Sequence, residues 1–367
     1  MNKVIGLITT NYSNNRFGPL AEGRPVATIP FGGRYRVVDF PLSNMVHSEI
    51  RSVGITTSHC YRSIIDHLGD GKYWSLDRKS GGLFFLPGSI YGMKRFEGKF
   101  LLRDFIENRP YLARARDHLV VVSASNKIFS MDLRPLVKQH RESGAQVTMA
   151  YKEISDAHMK QGPFLNLGQD GRLLGIGREA SGHAAWFMDL LIINQEDLLA
   201  LMDWYETMSY VDLLEIINEN IVDMKIASYR FDGYVGAIDS TYNYMQCSMD
   251  LLRPEIRSEL FDNRRKIFTK VQDAPPSKYL PGCHVSNSFI SSGCVIEGTV
   301  ENSILSRSVR VGKGAVVKNC VIMQQGDIAE GAYLDNVICD KFVRVGRDTR
   351  LSGNHYTPLV MGKNEQV

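Results

Sequence analysis

Asn302-Ser-Ile-Leu-Ser-Arg-Ser-Val-Arg-Val311, continuing Gly312-Lys-Gly-Ala-Val-Val-Lys-Asn-Cys-Val-Ile322, returns an apolar side chain every six residues, at Leu305, Val311 and Val317. The same period links Ile290 to Ile296, Ile322 to Ile328 to Leu334, and Val345 to Leu351. A phrase recurs with it: Asn-Ser-Phe-Ile from Asn287, Asn-Ser-Ile-Leu from Asn302, Asn-Cys-Val-Ile from Asn319 and Asn-Val-Ile-Cys from Asn336, in steps of 15, 17 and 17. A β-sandwich would alternate with period two. A hexapeptide period instead marks a parallel β-helix, in which each coil buries one inward residue per face against the coils above and below. Residues 276–367 are therefore expected to form a helix-poor β-helix domain, serving assembly and regulation because a solenoid exposes open ends and flat faces.

Upstream of this segment the pattern is different. From Lys3 to about Ser240, short β-rich runs alternate with amphipathic stretches, the signature of an α/β domain with a mostly parallel sheet. Val4–Thr9 reads as a first strand. Leu42, Met45, Val46, Ile50 and Val53 fall at helical spacing up to Gly54, a natural helix-ending residue, with a strand following from Ile55. His118–Ala124 reads as a buried strand, Asp132 as the cap of a helix running to Gly144, and Ser209 with Asp212 as a capping pair before Leu213. The division expected is 1–245 for the α/β domain, 246–275 for a linker and 276–367 for the β-helix.

Composition narrows the function classes. Of 367 residues 44% are hydrophobic, and 43 Lys and Arg against 40 Asp and Glu leave a net charge of +3. No global basic field recruits nucleic acid or anionic membrane, so any anion site must be local. The six cysteines form no C-x-x-C pair and no compact framework; they read as reduced thiols, with no disulfide or zinc site expected. With only a very short apolar run near Met1 and no stretch of about 20 apolar residues, a cytoplasmic location is expected.

One segment carries a specific resemblance. Ile29-Pro-Phe-Gly-Gly-Arg-Tyr-Arg-Val-Val-Asp-Phe-Pro-Leu-Ser-Asn44 resembles the P-F-G-G-K-Y-R-L-I-D-F-P-L-S-N segment of bacterial glucose-1-phosphate adenylyltransferases (ADP-glucose pyrophosphorylases). With Asp239-Ser240 and the hexad segment, the resemblance spans essentially the whole chain. It implies a Rossmann-like nucleotidyltransferase domain, a left-handed β-helix, tetramers and a place in glycogen synthesis. It also implies a reaction in which the phosphate of glucose 1-phosphate attacks the α-phosphorus of ATP. Such chemistry needs a Gly-rich cradle, basic side chains and carboxylates that hold Mg²⁺.

At each of those positions this chain departs from the family. Its G-G-G-x-G-x-R-L cradle aligns with Thr10-Asn11-Tyr12-Ser13-Asn14-Asn15-Arg16-Phe17, which keeps no cradle glycine; Thr10, Asn11 and Arg16 are the remnant. The G-D-H-I-Y-x-M-D pattern aligns with Ser125–Asp132, so the catalytic Asp is Asn126 and the His is Lys127. D-V-G-T-I-D-S aligns with Tyr234–Ser240, placing Tyr234 at the second metal carboxylate. The Lys of R-A-K-P falls on Val26 and that of E-K-P, which clamps glucose 1-phosphate, on Ala180. S-M-G aligns with Phe187-Met188-Asp189, and Y-x-G-T-A with Phe96-Glu97-Gly98-Lys99-Phe100.

A kept scaffold without its chemistry resembles the non-catalytic GlgD-type subunit found beside an active subunit in some Gram-positive bacteria. The expected role is a regulatory subunit that forms a heterotetramer with a catalytic chain and activates it, with no cofactor of its own and Mg²⁺ held by the partner. A weakly active adenylyltransferase is the second reading. A β-helix acyltransferase with a His base is a distant third, since only His284 and His355 are at hand. Arg34, Arg36 and Arg51 are expected either to bind a sugar-phosphate effector or to form a solvated basic face. His59 and His67 read as ordinary hydrogen-bonded histidines, and Phe84, Phe85 and Tyr91 as core or interface.

Overall fold

A computed structural model describes residues 4–10, 15–57, 60–88, 98–114, 119–155, 162–169, 171–179, 182–208 and 211–367. Its contacts sort into two units interleaved along the chain, one of residues 1–13, 40–235 and 264–268, the other of 14–39, 236–263 and 269–367. Single cuts at 245 and 275 do not describe this division. Two helices, Thr241–Asp250 and Pro254–Leu260, occupy much of the segment read as a linker, and both belong with the β-helix.

Among the described residues, the first unit is built on a nine-stranded sheet. Its central strands, Val4–Thr9 and Leu119–Ala124, pair in parallel and are buried at every position, the near-continuous apolar run expected of strands covered on both faces. Ser52–Thr57 and Gly82–Pro87 extend the parallel side. On the other side the long strand Ala184–Asn194 runs antiparallel to Leu119–Ala124 and to Val147–Ile154, with a register shift between Phe187 and Leu191. Local signals were read unevenly by sequence. The helix placed at Leu42–Val53 ends at His47, with the left-handed residue at Glu49, and Gly54 lies inside a strand. The reason is packing: a Cβ on Gly54 would stand 2.5 Å from Leu86 and 2.8 Å from Tyr111. Gly144 ends the helix Arg134–Ser143 at a φ of +59°, as expected. Asp212 caps Leu213–Glu219 by accepting from the Leu214 N–H, while Ser209 lies outside the described residues.

In the second unit, fifteen short strands form three parallel five-stranded sheets. One stacks Lys278–Tyr279, Val295–Ile296, Arg310–Val311, Asp327–Ile328 and Arg344–Val345; the others run from His284–Ser286 to Arg350–Ser352 and from Phe289–Ile290 to Leu359–Met361. This is the left-handed β-helix of hexapeptide repeats. Ile296, Leu305, Val311, Val317, Ile322, Ile328, Leu334 and Val345 share its core, with Ile290 and Leu351 packed partly against it. The recurring asparagines turn one corner in four of the five coils at positive φ, +39° to +55° for Asn287, Asn302, Asn319 and Asn336. Asn tolerates this conformation because its short amide bonds locally. Asn287 donates to Asn302 across one step of the ladder, 2.7 Å, and Asn319 to Asp335, 2.9 Å. Within this unit a buried ion pair, Arg24 to Asp340 at 2.6 Å, ties the 14–39 segment to the solenoid. All six cysteines are free thiols, and no helix among the described residues is long and apolar enough to cross a membrane.

Candidate functional site

In open α/β sheets, ligands gather at the carboxyl ends of the parallel strands. Thr9 and Ala124 pair at that edge in the first unit, and Ser125 donates both its N–H and its hydroxyl to the Thr9 carbonyl. Thr10 does not cradle an anion: its N–H and hydroxyl are both spent on Thr56. Asn126 is 1% exposed and its Oδ1 has no hydrogen-bond partner among the described residues, as is true of the Thr9 hydroxyl. The adjoining Lys127 is buried, its Nζ donating to the Phe187 carbonyl at 2.5 Å and lying 3.5 Å from the centre of the Trp186 ring.

These groups do not fit the Mg²⁺ that the family would place here. Asn126 offers an amide oxygen in place of a carboxylate, Tyr234 is a half-buried tyrosine, and the neighbouring Lys127 adds a fixed positive charge in low-dielectric surroundings. Among the described residues no three His, Cys, Asp or Glu side chains gather as a cation site.

The same unit holds a cavity of about 440 Å³, lined by Lys99, Arg178, Glu179, Asp189, Asp212 and Glu215 among others. Asp189 is fully buried. Its Oδ2 lies 2.5 Å from the Lys99 Nζ and 3.6 Å from the Lys127 Nζ. Burial pushes its pKa up, but the ammonium groups of Lys127 and Lys99 outweigh that and hold the carboxyl below its usual range. Asp212 goes the other way: burial raises it although the Phe100 and Leu214 N–H groups donate to it, at 2.8 and 2.9 Å. Sequence reading flagged neither Lys99 nor Asp189 as functional; their joint departure from the family pattern was the available signal.

Val26, where the family has a lysine, belongs to the second unit and is buried, 1% exposed, so no phosphate contact is made there. Asn11 and Ala180 lie outside the described residues, as do His59 and Tyr91. His67 packs edge-on against Trp74, and the half-buried Phe84 against Tyr111. Both His284 and His355 are exposed, and His355 packs against Tyr242 and Tyr356.

The predicted arginines divide between the units. Arg51 precedes a strand of the first. Arg34 and Arg36 belong to the second, on a hairpin in which Pro30–Phe31 pairs with Tyr35–Arg36 across Gly32 and Gly33, both at positive φ. Arg34 donates to the Tyr35 hydroxyl, 2.7 Å, and Tyr35 stacks on Phe261. Arg307, distant in sequence, completes this group: burial, and next the charge of Arg34, pull its pKa down. Arg36 acts on a second charged group, in which Lys341 feels the charges of Arg36, Arg24, Asp340 and Lys363. Burial, followed by the charges of Arg36 and Arg24, lowers the pKa of Lys341 to about 8. Arg16 lines a cleft of about 690 Å³ in this unit with Thr241 and Asn354.

Comparisons with known proteins agree with these two architectures. Residues 13–160 match the nucleotidyl transferase family and residues 275–357 the GlmU-like C-terminal hexapeptide family. The chain is 36% identical to the glycogen biosynthesis protein GlgD of Bacillus subtilis over 99% of its own length and 96% of that protein's. It is also 36% identical to GlgD of Geobacillus stearothermophilus, over 86% of its own length and 83% of that protein's. Similarity extends to the glucose-1-phosphate adenylyltransferase of Thermomicrobium roseum, at 32% identity over 91% of this chain and 84% of the other. With its nucleotidyltransferase sheet, its hexapeptide β-helix and relatives along its whole length, the chain belongs to the family that unites the GlgD proteins and the glucose-1-phosphate adenylyltransferases.

Proposed function

We propose that this chain is a regulatory, non-catalytic subunit of glucose-1-phosphate adenylyltransferase in cytoplasmic glycogen biosynthesis. In this reading it assembles with a catalytic chain, as a heterotetramer, and raises the rate at which that chain makes ADP-glucose and pyrophosphate. The observation that carries it is the Asn126–Lys127 pair at the strand ends: a neutral amide and a buried ammonium stand where two reacting polyanions would need hard, metal-binding carboxylates. Activation then travels as a coupling free energy through an interface between subunits.

The two cationic groups of the second unit supply a place for an effector. A guanidinium holds phosphate bidentately without any metal, so the Arg36 group with Arg24, Lys341 and Lys363, and the Arg34–Arg307 group, suit a sugar phosphate. Their use is independent of catalysis. The test is to mix the purified chain with a catalytic relative, follow assembly by size-exclusion with light scattering, and titrate ADP-glucose formation with sugar phosphates. The parent chain is expected to co-elute and to raise the rate. Arg34→Ala and Arg36→Ala should still co-elute but lose on the order of 1–3 kcal/mol of coupling, about 5- to 150-fold in effector response. Absence of a mixed species, or curves identical to the parent's, would contradict the regulatory reading and the effector assignment respectively.

A further inference from the structure

Three departures from the family pattern, far apart in sequence, meet at one point. Lys99 replaces the Thr of Y-x-G-T-A, Lys127 the His of G-D-H, and Asp189 the Gly of S-M-G. In the first unit both ammonium groups converge on the Oδ2 of Asp189, at 2.5 and 3.6 Å. Asp189 is wholly buried and Lys127 is 2% exposed, so neither charge is balanced by water.

The backbone shows what this carboxylate has to overcome. Asp189 sits inside the strand Ala184–Asn194, within the register shift between Phe187 and Leu191, at a φ of +53°. Glycine adopts that conformation freely and an L side chain does so at a cost. Its two oxygens are used unequally: Oδ2 accepts from the Lys99 ammonium, whereas the buried Oδ1 has no partner among the described residues. What holds it is charge: a carboxylate between two lysines, in place of the anion that the buried ammonium of Lys127 and the half-buried one of Lys99 otherwise demand.

We propose that Asp189 is a built-in anion, which occupies the anion position between Lys99 and Lys127 and closes this cavity to phosphate-bearing ligands. The remaining wall agrees with this. Glu179, Asp212 and Glu215 line the cavity with Arg178, which lies 3.9 Å from Glu215. An incoming phosphate meets more carboxylates than cations as long as Asp189 is ionised. Without Asp189, the Lys99 ammonium on the cavity wall and the buried Lys127 ammonium lose their shared counter-charge, and the vacated space becomes a receptor for a small phosphate. Asp189 is then the residue that determines specificity here, and it acts by exclusion. The inference does not depend on whether the chain activates a partner.

The test uses the full chain and inorganic phosphate as the probe, by titration calorimetry, with circular dichroism to verify the fold. Asp189→Gly relieves the backbone and Asp189→Asn keeps the side-chain size; each is expected to bind phosphate at least about tenfold more tightly than the parent, by the usual strength of a paired phosphate–ammonium contact. Adding Lys99→Gln to either variant should abolish the gain, which separates this cavity from the arginine groups of the other unit. Folded variants that bind phosphate no better than the parent would overturn the proposal. So would a parent chain whose phosphate affinity falls on Lys99→Gln alone, because the cavity would then take anions with Asp189 in place. If both single variants melt well below the parent, phosphate should raise their melting temperature more than the parent's, and the absence of such rescue would also overturn it.

Discussion

Ile328→Asp is expected to unfold the β-helix at denaturant concentrations where the parent is fully folded. Ile328 is completely buried, and its strand pairs in register with Arg310–Val311 on one side and Arg344–Val345 on the other, so that Val311 and Val345 flank it in the stack. A carboxylate there has no donor to meet it and no room to reach water. Loss of the apolar contacts together with an unpaired buried charge costs on the order of 4–6 kcal/mol, whereas Ile328→Val removes one methylene and costs about 1 kcal/mol. The two units can be followed separately. All three tryptophans, Trp74, Trp186 and Trp204, belong to the first unit, so their fluorescence reports its unfolding while far-ultraviolet circular dichroism follows both. An Ile328→Asp transition within about 1 kcal/mol of the parent's would show that this position is not the dry stack described.

Restoring one lost carboxylate should do almost nothing for catalysis. Asn126→Asp returns the family's acid to its position, but the new carboxylate would adjoin the buried ammonium of Lys127, which competes with a metal for it. Tyr234, the buried Val26 and Ala180 leave the second carboxylate and both phosphate-binding lysines missing. Each defect is worth several kcal/mol of transition-state stabilisation, at roughly 1.4 kcal/mol per tenfold in rate. The variant is expected to remain at background in an ADP-glucose assay with Mg²⁺, ATP and glucose 1-phosphate. Turnover above about 1% of a catalytic relative's would mean that the other losses are compensated elsewhere in the chain.

How much of this was legible in the sequence follows from the range of each signal. The hexad period is local and repeated, so the core residues from Ile296 to Val345 could be named before any coordinate was known, and the structure places them together. The asparagine phrase was visible as a repeat, although only the backbone shows that it turns a corner at positive φ. The division of the chain was not legible, because it depends on pairings such as Arg24 with Asp340, more than 300 residues apart. Gly54 misled for a related reason: its role comes from Leu86 and Tyr111 in space, while helix-ending rules consider only neighbours in sequence. Motif comparison identified the missing groups at Asn126 and Tyr234. The lysine–aspartate–lysine cluster assembled from positions 99, 127 and 189 is apparent only in space, where three separate departures meet at the Asp189 carboxylate. Arg34, Arg36 and Arg51 could be singled out as an effector site or a solvated basic face, but not the groups that the structure brings to the first two, Arg307, Arg24 and Lys341.

The most direct measurement is the initial rate of ADP-glucose formation by the purified chain alone, with Mg²⁺, ATP and glucose 1-phosphate, beside a catalytic relative under the same conditions. A metal site lacking its carboxylates predicts a rate at least about 10³-fold lower, equivalent to a barrier raised by roughly 4 kcal/mol, and insensitive to a chelator. A chelator-sensitive rate within about tenfold of the catalytic relative's would contradict the account, because Asn126, Tyr234 and Lys127 would then have to belong to a working active site.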